Sequence, residues 1–154
     1  RKLFAEQNIM SDVELDARNE ISWENYIMKI QIESRVMADL VQNHIIPTAI
    51  AYQNKLIQNA KGLKDLGVKN DQVVEIINSM SSHIDILQKE VFNMTEARKK
   101  ANVIEDTRDK AIAYCDDVKT AFFDKIRYSV DKLELIVDDE DWPLVKYREM
   151  LFLR

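Results

Sequence analysis

Between Ser11 and Leu66 the chain carries a single proline, Pro47, and a single glycine, Gly62. Nothing else in that stretch opposes a helix. Apolar side chains recur at helical spacing through Tyr26, Ile30, Met37, Val41 and Ile45, then at Ile50 and Ile57 beyond the proline. A straight helix of this length would span about 80 Å at roughly 1.5 Å per residue. A compact chain of 154 residues has a radius of gyration of only about 15 Å. The helix must therefore bend or project, and the rest of the chain has to pack against it.

Composition narrows the choice of fold further. Glycine and proline number two each, too few for the turns of a β-sandwich or the loops of a nucleotide-binding α/β fold. Hydrophobic residues at 46% and charged residues at 32% fit a folded chain, and the length fits one domain, residues 1–154. The net charge of −5 and the absence of a basic run argue against nucleic acid and against an anionic membrane surface as partners. No apolar run approaches the about 20 residues of a membrane span, and no signal peptide is evident. A cytoplasmic protein is expected, and the lone Cys115 fits a reducing compartment. The chain starts at Arg1 rather than at methionine, as a piece of a longer protein would.

Four helices are expected, at about 12–66, 71–100, 103–137 and 143–151, after a lead-in at 1–10 that holds Leu3, Phe4, Ile9 and Met10. Ser11-Asp12-Val13-Glu14 forms a capping box, in which the serine oxygen and the glutamate satisfy first-turn backbone donors. Pro47 is expected to kink the first helix rather than end it, because the apolar stripe continues through it. Gly67 suits a left-handed C-terminal cap. The second helix carries Val74, Ile77, Ser81, Ile84, Leu87, Val91 and Met94 on one face. Asn102-Val103-Ile104-Glu105 reads as the next N-cap. The third helix shows Ala111, Cys115, Val118, Phe122, Ile126, Val130, Leu133 and Val137. It stops at the four acids from Asp138 to Asp141, which oppose the negative end of its dipole. Pro143 can open a short final helix, and Trp142, Tyr147 and Phe152 can dock the tail. The expected fold class is all-α: an antiparallel helical bundle with a long bent first helix and a short C-terminal docking helix.

The first helix holds more apolar surface than one bundle needs. Its broad face runs through Trp23, Tyr26, Ile27, Ile30, Met37, Leu40, Val41 and Ile45, and a second, narrower stripe holds Ile21, Met28, Ile32 and Val36. One stripe suffices to bury a helix in its own bundle. Ile21, Met28, Ile32 and Val36 are therefore the candidate interface residues, toward another part of a larger chain or another subunit.

Catalytic, cofactor-binding and metal residues are not expected within the chain. Glycine occurs only at Gly62 and Gly67, so no phosphate loop is present. No HExxH, cysteine cluster or paired Glu-x-x-His motif occurs. His44 reads as a part-buried helix histidine beside Tyr26 and Met37, His83 as a solvated one, and Cys115 as core. The acids from Asp138 to Asp141 could hold Mg²⁺ or Ca²⁺, but an acidic helix end is the commoner arrangement.

Several stretches resemble one known family. They are Ile30-Gln-Ile-Glu-Ser-Arg35, Asn43-His-Ile-Ile-Pro-Thr-Ala-Ile50 with Tyr52-Gln-Asn54, Glu96-Ala-Arg-Lys-Lys-Ala-Asn102, Arg108-Asp-Lys-Ala-Ile-Ala-Tyr-Cys-Asp116, and Val130-Asp-Lys-Leu-Glu-Leu135 through Trp142-Pro-Leu144 to Lys146-Tyr-Arg-Glu149. In order and spacing they resemble the C-terminal domain of type III glutamine synthetase, from about Ser11 to Arg154. The resemblance implies a bacterial parent ligase of nitrogen metabolism that joins ammonia to glutamate using ATP with Mg or Mn, built as two stacked hexameric rings. The family's catalytic residues lie in a portion preceding this region, so none carries over. The implied role is structural, in oligomerisation. The implied partners are the catalytic domain and neighbouring subunits of a two-ring dodecamer, with a homodimer expected for this piece alone. The alternative is a stand-alone helical adaptor that binds a partner helix in a groove.

Overall fold

The computed structural model describes Gln7 and residues 9–151. Leu3, Phe4 and most of the lead-in, together with Phe152 at the end of the tail, lie outside the described residues. Among the described residues six α-helices follow in order: α1 (Asp12–Leu40), α2 (Ile46–Asp65), α3 (Asp71–Asn102), α4 (Thr107–Ala113), α5 (Ala121–Glu134) and α6 (Tyr147–Leu151). A first π-turn, Val41–Ile45, joins α1 to α2, and a second, Tyr114–Thr120, joins α4 to α5. No strand occurs among the described residues, so the chain is all-α.

The capping box is formed. Ser11 Oγ accepts from the Glu14 amide at 3.3 Å, and Glu14 Oε2 accepts from the Ser11 amide at 2.8 Å. The bond to the Ser11 backbone, then that to its hydroxyl, holds the Glu14 carboxyl below its ordinary range. Ser11→Ala is expected to cost about 1 kcal/mol, read as a lower urea midpoint with an unchanged slope. A midpoint equal to wild type would show that the cap adds nothing.

Pro47 neither ends the run nor leaves it a plain α-helix. Backbone angles stay helical through Ile45 (φ −71°, ψ −52°) and Ile46 (φ −60°, ψ −48°). The Ile46 amide reaches back to the Val41 carbonyl, one residue further than in an α-helix. That wider turn makes room for the proline ring and its missing donor. It also turns His44 out to solvent while Val41, Ile45 and Ile46 stay buried, correcting the part-buried histidine expected there.

The run ends on a Schellman cap. Gly67 adopts φ +70°, Val68 N–H donates to the Leu63 carbonyl at 2.9 Å, and Gly67 N–H donates to Lys64 at 3.0 Å. The chain then reverses into α3. On α2, Gln53 Nε2 donates to the Ile77 carbonyl at 3.0 Å and to Ser81 Oγ at 2.7 Å, while on α1 Gln31 Nε2 donates to Asn102 Oδ1 at 3.1 Å. Early residues of the run thus meet late residues of α3, and the two lie antiparallel. The buried face of α3 differs from the expected one in its first turns. Met80 is buried where Ser81 was expected, and Val74 is exposed while Val73 is half-buried.

The start of the third helical segment is also corrected. Asn102 is the last residue of α3 rather than a cap, and Asp106 caps α4 by accepting from the Asp109 amide at 2.8 Å. Tyr114, the first residue of the second π-turn, takes the core place expected for Cys115, which is half-buried, while Ala111, Val118, Ile126, Leu133 and Val137 are buried as expected. Past the π-turn, Phe122 and Phe123 share a half-buried flank, and Ile126, Ser129 and Leu133 are buried. The core joins Ile30, Val41, Ile45 and Ala49 from the long run, Met80, Ile84, Leu87, Val91 and Met94 from α3, and Tyr114, Val118, Ile126 and Leu133 from the last segment.

The loop before the tail's helix docks on the core. α6 begins at Tyr147, not at Pro143. Trp142 is buried and Leu144 packs on the core, whereas Met150 and Leu151 are exposed. Lys146 Nζ donates to the Glu134 and Val137 carbonyls at 3.0 and 3.1 Å, capping the end of α5.

Candidate functional site

The four residues of the second stripe, Ile21, Met28, Ile32 and Val36, point outward. Each is between 52% and 56% exposed although it lies on a helix whose other face is core. The structure brings two of them to a groove. Ile32 and Val36 stand on one wall with Leu40, Val41 and Ile45, and Phe123, Ile126 and Val130 form the facing wall, with Leu144 also lining it. The groove encloses about 510 Å³ and is lined almost wholly by carbon. Its charged residues are Glu33 on α1 and Arg127 on α5. Each is held loosely by its own helix, Glu33 by Lys29 at 3.9 Å and Arg127 by Asp131 at 3.7 Å. Ile21 lies apart, in a shallow depression with Glu14 and Arg18, and Met28 lines neither.

Sequence periodicity located the stripe but not the groove. Ile126 and Val130 read as core stripe of the third helix, and only the packing sets them, with Phe123, across the groove from α1. Composition carries no signal for that packing.

The residues considered for chemistry are otherwise engaged. The acids at 138–141 meet lysines: Asp141 pairs with Lys55 at 2.5 Å, and Asp139 with Lys146 at 2.5 Å. Asp138 Oδ1 accepts from the Glu140 amide at 2.9 Å. No grouping of three His, Cys, Asp or Glu side chains suited to a metal is found among the described residues. His83 is half-buried rather than solvated. Its ring lies edge-on to Tyr128 with centroids 6.2 Å apart, and burial, with Lys132 nearby, pushes its pKa down. Its Nδ1 and the Ser129 hydroxyl are buried without a hydrogen-bond partner among the described residues. Burial and then a hydrogen bond with Cys115 push Tyr26 up to about 12, so the phenol stays protonated. A nucleophile needs a base within reach, and Cys115 is beside a neutral phenol instead. No described helix is long and apolar enough to cross a membrane.

Fold and surface together define an all-helical domain that presents an uncovered apolar face. Comparison with known proteins gives that class a family. The family model described as glutamine synthetase C-terminal domain matches residues 1–64. Over 160 aligned residues the chain is 41% identical to a glutamine synthetase of Bacteroides fragilis (strain YCH46), with 100% of this chain covered. It is 31% identical to a type-3 glutamine synthetase of Dictyostelium discoideum, over 99% of this chain. It is 26% identical to a glutamine synthetase of Butyrivibrio fibrisolvens, over 97%. The chain belongs to the glutamine synthetase C-terminal domain family, with a type-3 enzyme among its relatives. It spans 22% of the length of each of these relatives.

Proposed function

We propose that residues 1–154 form one helical unit that serves structure and assembly in a larger type III glutamine synthetase. The parent is a cytoplasmic bacterial ligase that joins ammonia to glutamate with ATP and Mg or Mn, and its catalytic residues lie outside this chain. The parent assembles as a two-ring dodecamer. Ile21, Met28, Ile32 and Val36 are the contact residues toward the catalytic body or a neighbouring subunit. The observation that carries this reading is the row of four half-exposed apolar side chains, continuous at Ile32 and Val36 with the carbon-lined groove. Water-exposed apolar area of that extent is unfavourable and marks an interaction surface. The small share of its relatives' length that the chain spans leaves ample polypeptide to cover it.

Thiol labelling tests the proposal. Ile32→Cys is placed in a Cys115→Ser background, both in this chain alone and in the parent enzyme that carries it. Labelling in the parent is expected to be slower by about tenfold or more, because the site opens only by local separation. Equal rates in the two would contradict burial of the stripe. The groove also favours a second reading, an adaptor that takes a partner helix. On that reading the two rates match, and an added amphipathic helix slows both.

A further inference from the structure

Two arginines, Arg35 and Arg98, are brought to one level of the fold. The Gln31–Asn102 hydrogen bond, at 3.1 Å, fixes where α1 and α3 face each other. Arg35 lies one turn onward from Gln31 on the same helix face, and Arg98 one turn back from Asn102. The helices are antiparallel, so both steps run the same way and bring the two side chains opposite each other. Their positive field reaches Tyr114. Burial raises the pKa of that hydroxyl, while Arg98, then a Gln31 hydrogen bond, then Arg35 oppose the rise.

Neither guanidinium has an ion-pair or hydrogen-bond partner among the described residues, although Arg98 is half-buried. Some other cations are paired, as at Lys55 with Asp141, Lys99 with Glu96, and Lys146 with Asp139, and some are unpaired among the described residues but exposed to solvent, as at Lys61 and Lys89. The neighbouring acceptor is used up: Asn102 Oδ1 accepts from Tyr114 Oη at 2.5 Å and from Gln31 Nε2. The Asn102 Nδ2 group, by contrast, has no acceptor among the described residues. Two guanidinium groups and one amide nitrogen, all donors, are left at this place. Tyr114 opens the second π-turn, and such turns are frequent at functional sites.

We propose that Arg35 and Arg98, with the Asn102 amide, bind an oxyanion, the carboxylate or phosphate group of a small ligand. The planar guanidinium offers parallel N–H pairs that match two oxygens of either group. A bound anion also removes the repulsion between two like charges held at one level. The site does not depend on the assembly reading.

The test titrates inorganic phosphate and succinate separately into the 154-residue chain at constant ionic strength, by calorimetry and by NMR of the Asn102 side-chain amide. Saturable binding of at least one anion, with a shift of that amide, is expected. Binding of phosphate alone assigns a phosphoryl ligand, and binding of succinate alone assigns a carboxylate. Arg35→Gln and Arg98→Gln are each expected to weaken binding by about tenfold or more. Arg35 is on an exposed helix face, so its variant keeps the fold and carries the test even if Arg98→Gln is unstable. No saturable response to either anion, or unchanged binding in Arg35→Gln, would overturn the proposal.

Discussion

Tyr114→Ala is expected to be the most damaging single truncation in the last helical segment, at about 3–5 kcal/mol. The ring is fully buried among residues of α1, α3 and the second π-turn, and its hydroxyl donates to Asn102. Truncation leaves a ring-sized cavity and removes a bond that ties α3 to the π-turn. Phe122, the mid-stripe residue by periodicity, is only half-buried and borders an open groove. Phe122→Ala is expected to cost less, about 1–2 kcal/mol, because water can reach the space vacated. Lys119 is exposed, and its alanine variant is expected to stay within about 0.5 kcal/mol of wild type. Urea midpoints of the three variants check the order. A Phe122→Ala midpoint at or below that of Tyr114→Ala would contradict the deeper burial of Tyr114.

Those two aromatic residues show what the sequence could and could not reveal. Signals with a local cause were legible. The Ser11–Glu14 capping box and the left-handed Gly67 depend only on neighbouring residues, and both form. The second stripe was legible because it follows from helical spacing within one uninterrupted segment. The π-turns were not. Pro47 announced a disturbance, but whether it would end, kink or widen the helix depends on the core that holds Val41, Ile45 and Ile46. The second π-turn has no proline or glycine at all, and it is the packing of Tyr114 that accounts for it. The α4 boundary failed for a related reason. Asn102 and Asp106 both carry capping chemistry, each with an acid three residues on. The choice falls to Asp106 because the Asn102 side chain is taken by Tyr114 and Gln31, residues 12 and 71 positions away. The groove itself was not legible, because Ile126 and Val130 read as core stripe and only the packing sets them, with Phe123, across from Ile32 and Val36.

Ile32→Lys is expected to change the assembly state of the chain while leaving its fold intact. From Ile21 to Val36 the exposed stripe runs about 22 Å along α1, at roughly 1.5 Å per residue, and it opens into the groove at Ile32 and Val36. In the parent enzyme the proposed cover is the catalytic body or another subunit. In the chain alone that cover is missing, and the proposed occupant is a second copy related by two-fold symmetry. The groove rim favours this partner, because it carries one charge of each sign, Glu33 and Arg127, both weakly held. A two-fold contact lets each copy offer Glu33 to Arg127 of the other, whereas a partner of one sign would confront one of them with a like charge. A lysine at position 32 puts a charge in the stripe that the proposed contact buries, where it has no partner and must be desolvated. On the free helix surface the same lysine is well tolerated.

Light scattering across a concentration series therefore tests the assembly face most directly. The account predicts a mass that rises from monomer toward dimer for the wild type, and a monomer at every concentration for Ile32→Lys, with the helical circular dichroism unchanged. A wild type that stays monomeric at high concentration, or an Ile32→Lys variant that dimerises as the wild type does, would contradict it.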